Sequence, residues 1–167
     1  AEETFEDVKK YLTSMGISYE VVPGVSSFLA TAAALKQEYT LPNVSQTVII
    51  TRMEGRTPMP PKEKLRMLAA HEATMCIFLS VQMLDKVVAE LIEGGYDKTT
   101  PVAIVVKASW PDQRIIRGTL ETIADIVAKE GVLRQAMIVV SHVLDSEYEL
   151  SKLYDKGFAH MYRSAKD

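Results

Sequence analysis

Short runs of apolar residues alternate along this chain with segments of helical character, and this alternation restricts the possible folds more than any other feature. Helical spacing or helix-forming composition predicts helices over residues 2–15, 26–35, 61–71, 83–93, 120–129 and 147–155. Runs rich in valine, isoleucine or other strand-forming residues predict strands over residues 19–22, 44–51, 75–79, 101–107, 113–119 and 135–141. Because only residues 108–112 separate two of these strands, we expect that pair to be antiparallel neighbours. The pattern predicts an α/β fold with a mixed β-sheet flanked by helices.

Composition limits the classes of function. The chain has 167 residues, of which 47% are hydrophobic and 25% charged, which is typical of a soluble globular protein with about one domain. The formal net charge of −3 argues against a general nucleic-acid binder, which needs a basic surface. No apolar run reaches the roughly 18 residues of a membrane span. We therefore expect a cytoplasmic protein with no nucleic-acid or membrane partner.

The chain offers few residues for metal binding or covalent catalysis. Cys76 is its one cysteine and lies within an apolar run, which predicts a buried thiol rather than a nucleophile. His71, His142 and His160 are far apart in sequence and form no metal-binding motif. The sequence therefore predicts no metal site.

Residues 51–60, which we call the arginine loop, have a composition that a turn alone does not require. The loop follows an apolar run and contains Arg52 and Arg56 together with one glycine and two prolines. Guanidinium groups are well suited to bind carboxylates or phosphates through two parallel hydrogen bonds. The loop therefore predicts a site for an anionic substrate. The alternative is that both arginines pair with Glu54, Glu63 or a partner subunit.

The order of elements suggests how the domains are arranged. The first predicted helix and strand would normally complete a crossover unit whose first strand precedes them. We therefore expect residues 1–24 to be the remnant of an N-terminal domain that ends in a hinge at Pro23 and Gly24. On this hypothesis residues 25–142 form the C-terminal α/β domain, and residues 143–167 form a tail with a short helix.

Three segments, in this order and spacing, carry a family resemblance. They are Val-Pro-Gly-Val-Ser-Ser at residues 22–27, the arginine loop, and Pro-Val-Ala-Ile-Val-Val-Lys-Ala-Ser-Trp-Pro-Asp-Gln at residues 101–113. Together they resemble the C-terminal portion of the tetrapyrrole (corrin/porphyrin) methyltransferases, and the similarity extends over the chain up to Leu144. Within the family, residues 54–58 and 108–112 are most similar to members that methylate C11 of precorrin-4 or cobalt-precorrin-4 in cobalamin biosynthesis.

The resemblance implies a cofactor, a site and an assembly. Members of the family have two α/β domains with S-adenosylmethionine in the cleft between them, and they form homodimers. Carried over by position, the cofactor contacts would be Ser26, Ser27, Leu79 and Ala108. The family's glycine-rich N-terminal turn and Gly-Asp-Pro type segment are absent from this sequence. We therefore expect this chain alone to be inactive in methyl transfer.

The resemblance also implies a substrate, a tetrapyrrole fringed with acetate and propionate groups. Arg52 and Arg56 would bind these carboxylates, and Thr57 would add a neutral donor. Lys107 and Trp110 would flank the cofactor and bind the substrate, Lys107 at a carboxylate and Trp110 over an apolar face of the ligand or macrocycle. Alternatively, Lys107 could end a strand in solvent and Trp110 could pack on the sheet edge. No residue is assigned a catalytic role, because such a methyl transfer chiefly needs donor and acceptor held in line with water excluded.

Two alternatives remain for the function. The chain could belong to a tetrapyrrole methylase that acts at a different ring position. It could also be a noncatalytic binding or dimerisation module.

Overall fold

Five strands form one mixed sheet in the structure, a computed structural model that describes residues 4–145. The strands are β1 (Val48–Arg52), β2 (Thr74–Phe78), β3 (Pro101–Val106), β4 (Arg114–Thr119) and β5 (Ala136–Val140). The helices are α1 (Phe5–Ser14), α2 (Ser27–Leu35), α3 (Leu65–Ala69), α4 (Leu84–Gly94) and α5 (Ile123–Lys129). The predicted α/β fold is confirmed. The helix predicted at residues 147–155 lies outside the described residues.

The sheet places several strand ends at one edge. Its strand order is β1-β2-β5-β3-β4, with β1 parallel to β2 and the other three pairs antiparallel. Because β2 and β3 are both antiparallel to β5, they run in the same direction. The carboxyl ends of β1, β2 and β3 therefore lie at the same edge as the start of β5. The predicted antiparallel pairing of β3 with β4 is confirmed, in a register from Pro101↔Thr119 to Val106↔Arg114.

The core has two layers because successive side chains of the central strands point to opposite faces of the sheet. On one face α3, α4 and α5 pack against alternate strand residues, including Met75, Ile77, Ile104 and Ile138. On the other face α2 packs against the residues between them, including Cys76, Ala103, Val105, Met137 and Val139. All six residues of β3 are buried, which explains why that strand is apolar throughout instead of alternating.

Cys76 is fully buried against the α2 side of the sheet, as the sequence predicted. Burial raises the pKa of its thiol to about 11, because the charged thiolate would lose its hydration. At neutral pH the group is therefore a protonated thiol that packs in the core.

The strand predicted at residues 19–22 is wrong. The structure has no strand there, and Tyr19, Val21 and Val22 are exposed. Strand conformation is maintained by hydrogen bonds to a neighbouring strand, and none of the described residues pairs with this segment. The preceding helix does form as predicted. Thr4 caps α1 in a reciprocal capping box with Asp7.

The continuous helix predicted over residues 61–71 is also wrong. The chain forms a 3-10 turn at Pro61–Glu63, extends at Lys64 with ψ 141°, and then forms the short helix α3. The extended Lys64 places its ammonium group 3.8 Å from the Glu54 carboxylate in the arginine loop. The helix is therefore interrupted at the residue whose side chain reaches back to that loop.

Candidate functional site

A cavity of about 410 Å³ opens at the sheet edge where β2 and β3 end and β5 begins. The start of α2 forms its opposite wall. The cavity is lined by Ser27, Thr31, Phe78, Leu79, Val81, Gln82, Val105, Lys107, Ala108, Trp110, Leu133, Arg134, Gln135, Ala136 and Met137. Ligand crevices in open α/β sheets form at the carboxyl ends of the strands, and this cavity has that position.

The structure brings most of the predicted cofactor residues together around this cavity. Ser27, Leu79 and Ala108 line it, although they are far apart in sequence. Ser26 precedes α2 as its N-cap residue and is half-buried beside the cavity wall. Its side chain makes no capping hydrogen bond, and only the Ser26 carbonyl accepts from the helix. The Ser26 hydroxyl is therefore not committed to the helix.

Backbone strain is concentrated around the cavity. Leu79, Lys107 and Gln135 line it with φ angles of 53°, 50° and 55°, and Ser109 beside them has φ 69°. Residues other than glycine rarely adopt positive φ because Cβ then approaches the backbone, and such conformations cluster at ligand sites. Leu79 is also 84% exposed, so this strained residue presents apolar surface to the cavity opening.

Lys107 and Trp110 form one rim of the cavity. The Lys107 ammonium group pairs with the Asp112 carboxylate and lies 5.8 Å from the centre of the Trp110 ring. The hydrogen bond from Lys107 holds the pKa of the Asp112 carboxyl below its usual range. The Trp110 backbone N–H donates to the Lys107 carbonyl at 3.0 Å, which fixes this turn. Trp110 lines the cavity and is 56% exposed.

The arginine loop lies next to the cavity but does not line it. The Arg52 guanidinium donates to the carbonyls of Met53, Thr57 and Pro58 at 3.2–3.3 Å, so it closes the loop on itself. Glu54 accepts from the Met59 N–H and lies near Lys64 instead of pairing with an arginine. Within residues 4–145, Arg56 and Thr57 are exposed and no side-chain hydrogen bond or ion pair forms from either one.

Ser80 connects the arginine loop to the cavity. Its fully buried hydroxyl accepts from the Met53 N–H at 2.8 Å and donates to the Phe78 carbonyl at 2.6 Å. Residues 78–82 contribute four side chains to the cavity wall. One buried hydroxyl therefore fixes the loop relative to this wall, and the two regions form adjacent parts of one sheet edge.

Four polar residues that line the cavity were not predicted from the sequence: Thr31, Gln82, Arg134 and Gln135. Thr31 lies in an apolar helix, and its position between Phe28 and Leu35 on the buried face was the available signal. For Arg134 the available signal was a basic residue directly after Leu133, just before the start of β5. Nothing in the sequence distinguishes Gln82 from a solvent-exposed glutamine.

Among the residues that the structure describes, no three His, Cys, Asp or Glu side chains are grouped so that they could hold a metal ion. None of the described helices has the length and apolar character needed to cross a membrane.

Comparison with known proteins agrees with this geometry. A family profile described as Tetrapyrrole (Corrin/Porphyrin) Methylases matches residues 3–124. A cobalt-precorrin-4 C(11)-methyltransferase of Methanocaldococcus jannaschii is 59% identical over 164 residues, which cover 98% of this chain and 62% of the relative.

Two crystal structures share the fold. A cobalt precorrin-4 methyltransferase of cobalamin biosynthesis has a TM-score of 0.81 at 44% identity, over 84% of this chain and 59% of that protein. A uroporphyrin-III C-methyltransferase from Thermus thermophilus, in complex with S-adenosylhomocysteine, has a TM-score of 0.64 at 25% identity, over 83% of this chain and 59% of that protein. The chain thus spans about three fifths of the length of these relatives. It belongs to the tetrapyrrole (corrin/porphyrin) methylase family.

Proposed function

We propose that this chain provides the C-terminal part of an S-adenosylmethionine-dependent methyltransferase that methylates C11 of precorrin-4 or cobalt-precorrin-4 in cobalamin biosynthesis. The observation that carries the proposal is the single cavity that unites Ser27, Leu79 and Ala108 next to the arginine loop. The high identity to a cobalt-precorrin-4 C(11)-methyltransferase supports the choice of substrate.

The cavity suits the proposed cofactor. Its volume of about 410 Å³ falls within the roughly 300–1,000 Å³ of ordinary ligand sites. Its walls combine apolar side chains such as Phe78 and Val105 with the hydroxyl of Thr31, which has no hydrogen-bond partner within residues 4–145. Ser27, Leu79 and Ala108 would hold the cofactor. When bound, S-adenosylmethionine supplies an activated methyl group on a sulfonium centre.

The residues of this chain would chiefly position the reactants. Leu79 and Trp110 would cover the cofactor and exclude water, and the Arg56 guanidinium would bind a carboxylate of the macrocycle. The charge of Arg52 predicted that it binds substrate. We assign it a different role, because its guanidinium group already donates to carbonyls of the arginine loop. In this proposal Arg52 shapes the loop and leaves Arg56 exposed for the substrate.

The proposal includes a second domain and a partner subunit. No residue of α1 is buried, and the apolar side chains of Phe5, Tyr11 and Met15 are exposed. A helix with an apolar face normally packs that face against another element. We infer that α1 and the following residues belong to an N-terminal domain, as the greater length of the relatives suggests. We also infer a homodimer in the cytoplasm, which light scattering of the complete enzyme would test.

Titration with S-adenosylhomocysteine tests the cofactor site. We expect this chain to bind S-adenosylhomocysteine at one site. We expect tighter binding by a fusion protein in which this chain follows the segment of the Methanocaldococcus jannaschii relative that has no counterpart in this chain. We call that fusion the joined protein. It should also transfer a methyl group to C11, which NMR of the product would locate. Methylation at another ring carbon would indicate a different member of the family, and absence of cofactor binding in both proteins would favour a noncatalytic module.

Arg56→Ala should weaken substrate binding specifically. In the joined protein we expect the KM for the macrocycle to rise about tenfold, since one charge-assisted hydrogen bond contributes about 1.5 kcal/mol. The affinity for S-adenosylhomocysteine should stay the same because Arg56 does not line the cavity. Lys86→Ala on α4 is the matched control for the loss of one positive charge. Equal KM values for the Arg56 and Lys86 variants would exclude the assigned role.

A further inference from the structure

Thr31 occupies a position in α2 where an apolar residue would be expected. The helical spacing places it between Phe28 and Leu35, on the face that packs against the sheet. Thr31 is fully buried and its neighbours in sequence, Ala30 and Ala32, are apolar. A valine would have the same shape as threonine and would avoid burying a hydroxyl group.

Among the residues that the structure describes, none is a hydrogen-bond partner of the Thr31 hydroxyl. A threonine in a helix commonly donates to a carbonyl three or four residues earlier, but the Phe28 carbonyl instead accepts from the Tyr39 hydroxyl at 2.8 Å. Buried polar groups without partners are uncommon and costly. Thr31 also lines the cavity, so a molecule bound there could provide the missing partner.

We propose that the Thr31 hydroxyl hydrogen-bonds to the nucleoside part of the cofactor bound in this cavity. The inference rests on the proposed function and adds to it a residue that selects which end of the ligand lies deep in the site. An adenine or ribose group offers uncharged donors and acceptors that match one hydroxyl.

The charge distribution around the cavity supports this orientation. Phe78, Val105 and Met137 line the cavity and belong, wholly or in part, to the apolar core on the α2 side. An ammonium or carboxylate group would lose its hydration there, whereas an uncharged heteroaromatic ring would not. The charged side chains of the cavity, Lys107 and Arg134, are partly or fully exposed. They mark the side on which the amino-acid end of the cofactor would remain.

Thr31→Val tests the hydrogen bond, and Thr100→Val provides a matched control. Thr100 is the other described threonine with a fully buried, unpartnered hydroxyl, but it precedes β3 and does not line the cavity. Both substitutions remove an unsatisfied buried group, so both should raise the melting temperature of the ligand-free protein. Only Thr31→Val should weaken binding of S-adenosylhomocysteine, by about 3- to 10-fold, measured calorimetrically with this chain and with the joined protein.

Two further measurements locate the contact. Thr31→Ser retains the hydroxyl and should bind nearly as tightly as the unsubstituted protein. Methylthioadenosine lacks the amino-acid end of the cofactor, so its affinity should fall by the same factor in Thr31→Val. A loss confined to S-adenosylhomocysteine would overturn the nucleoside assignment, and equal affinities for Thr31→Val and the unsubstituted protein would overturn the contact itself. If the unsubstituted proteins bind neither ligand, the proposed function fails together with this inference.

Discussion

Replacing Gly94 by alanine is expected to lower the free energy of unfolding by about 2 kcal/mol, because α3 and α4 approach too closely to admit a methyl group. A Cβ atom at Gly94 would lie 2.5 Å from the Arg66 carbonyl oxygen and closer still to the Ala69 Cβ. Both neighbours belong to the short helix α3 and cannot rotate away. Gly94 does not have a positive φ, so the penalty comes from packing rather than backbone strain.

Chemical denaturation of the variants measures this effect, and a thermal scan should show a decrease of about 4–8 °C for a chain of this size. Gly24→Ala is the control, since no atom of the described residues lies within 4 Å of a Cβ at that position. Adding Ala69→Gly to Gly94→Ala should recover part of the lost stability, because it removes one of the two contacts. A Gly94→Ala protein as stable as the Gly24→Ala protein would show that the helices can separate at little cost.

The parts of the fold that could be predicted are those set by local sequence. The strands β3 and β4 are each rich in valine or isoleucine and are separated by one short turn, so both their existence and their pairing follow from neighbouring residues. The segment at residues 19–22 has similar composition but forms no strand. Whether this segment forms a strand depends on a pairing partner that is distant in sequence, and the residues of the segment do not specify that partner.

The order of strands could not be predicted for the same reason. β5 comes last among the described strands but pairs between β2 and β3, which separates two strands that the sequence presents in succession. This insertion brings Arg134 and Gln135 to the cavity beside Leu79 and Lys107. The cavity therefore combines strand ends that no local pattern associates, and the cofactor positions were reached through the family resemblance.

The arginine loop shows a further limit of sequence reasoning. The two guanidinium groups are equivalent by composition, and both were predicted to bind substrate. The structure distinguishes them, since Arg52 donates to loop carbonyls while Arg56 is exposed. Which arginine turns inward depends on the path of the backbone, and Gly55 permits several paths because glycine adopts both negative and positive φ angles.

Ala108→Leu is expected to weaken the binding of S-adenosylhomocysteine by roughly 30-fold, equivalent to about 2 kcal/mol of binding free energy. Ala108 lines the cavity between Lys107 and Ser109, both of which have positive φ. The turn is also held by the bond from the Ser109 N–H to Gln113 at 2.7 Å. Three additional carbon atoms would therefore enter the cavity, because the backbone cannot easily move back to accommodate them.

Calorimetric titration of this chain and of the joined protein would measure the loss, with Ala89→Leu as the control on the exposed side of α4. Leucine and alanine are both good helix formers, so the control should retain full affinity and stability. The half-buried Ala108 packs against the core on the α2 side, so the unfolding transition of Ala108→Leu must be measured as well. A folded Ala108→Leu protein that binds as tightly as Ala89→Leu would place the cofactor outside this cavity, since three added carbon atoms could not leave a ligand in contact with Ala108 undisturbed.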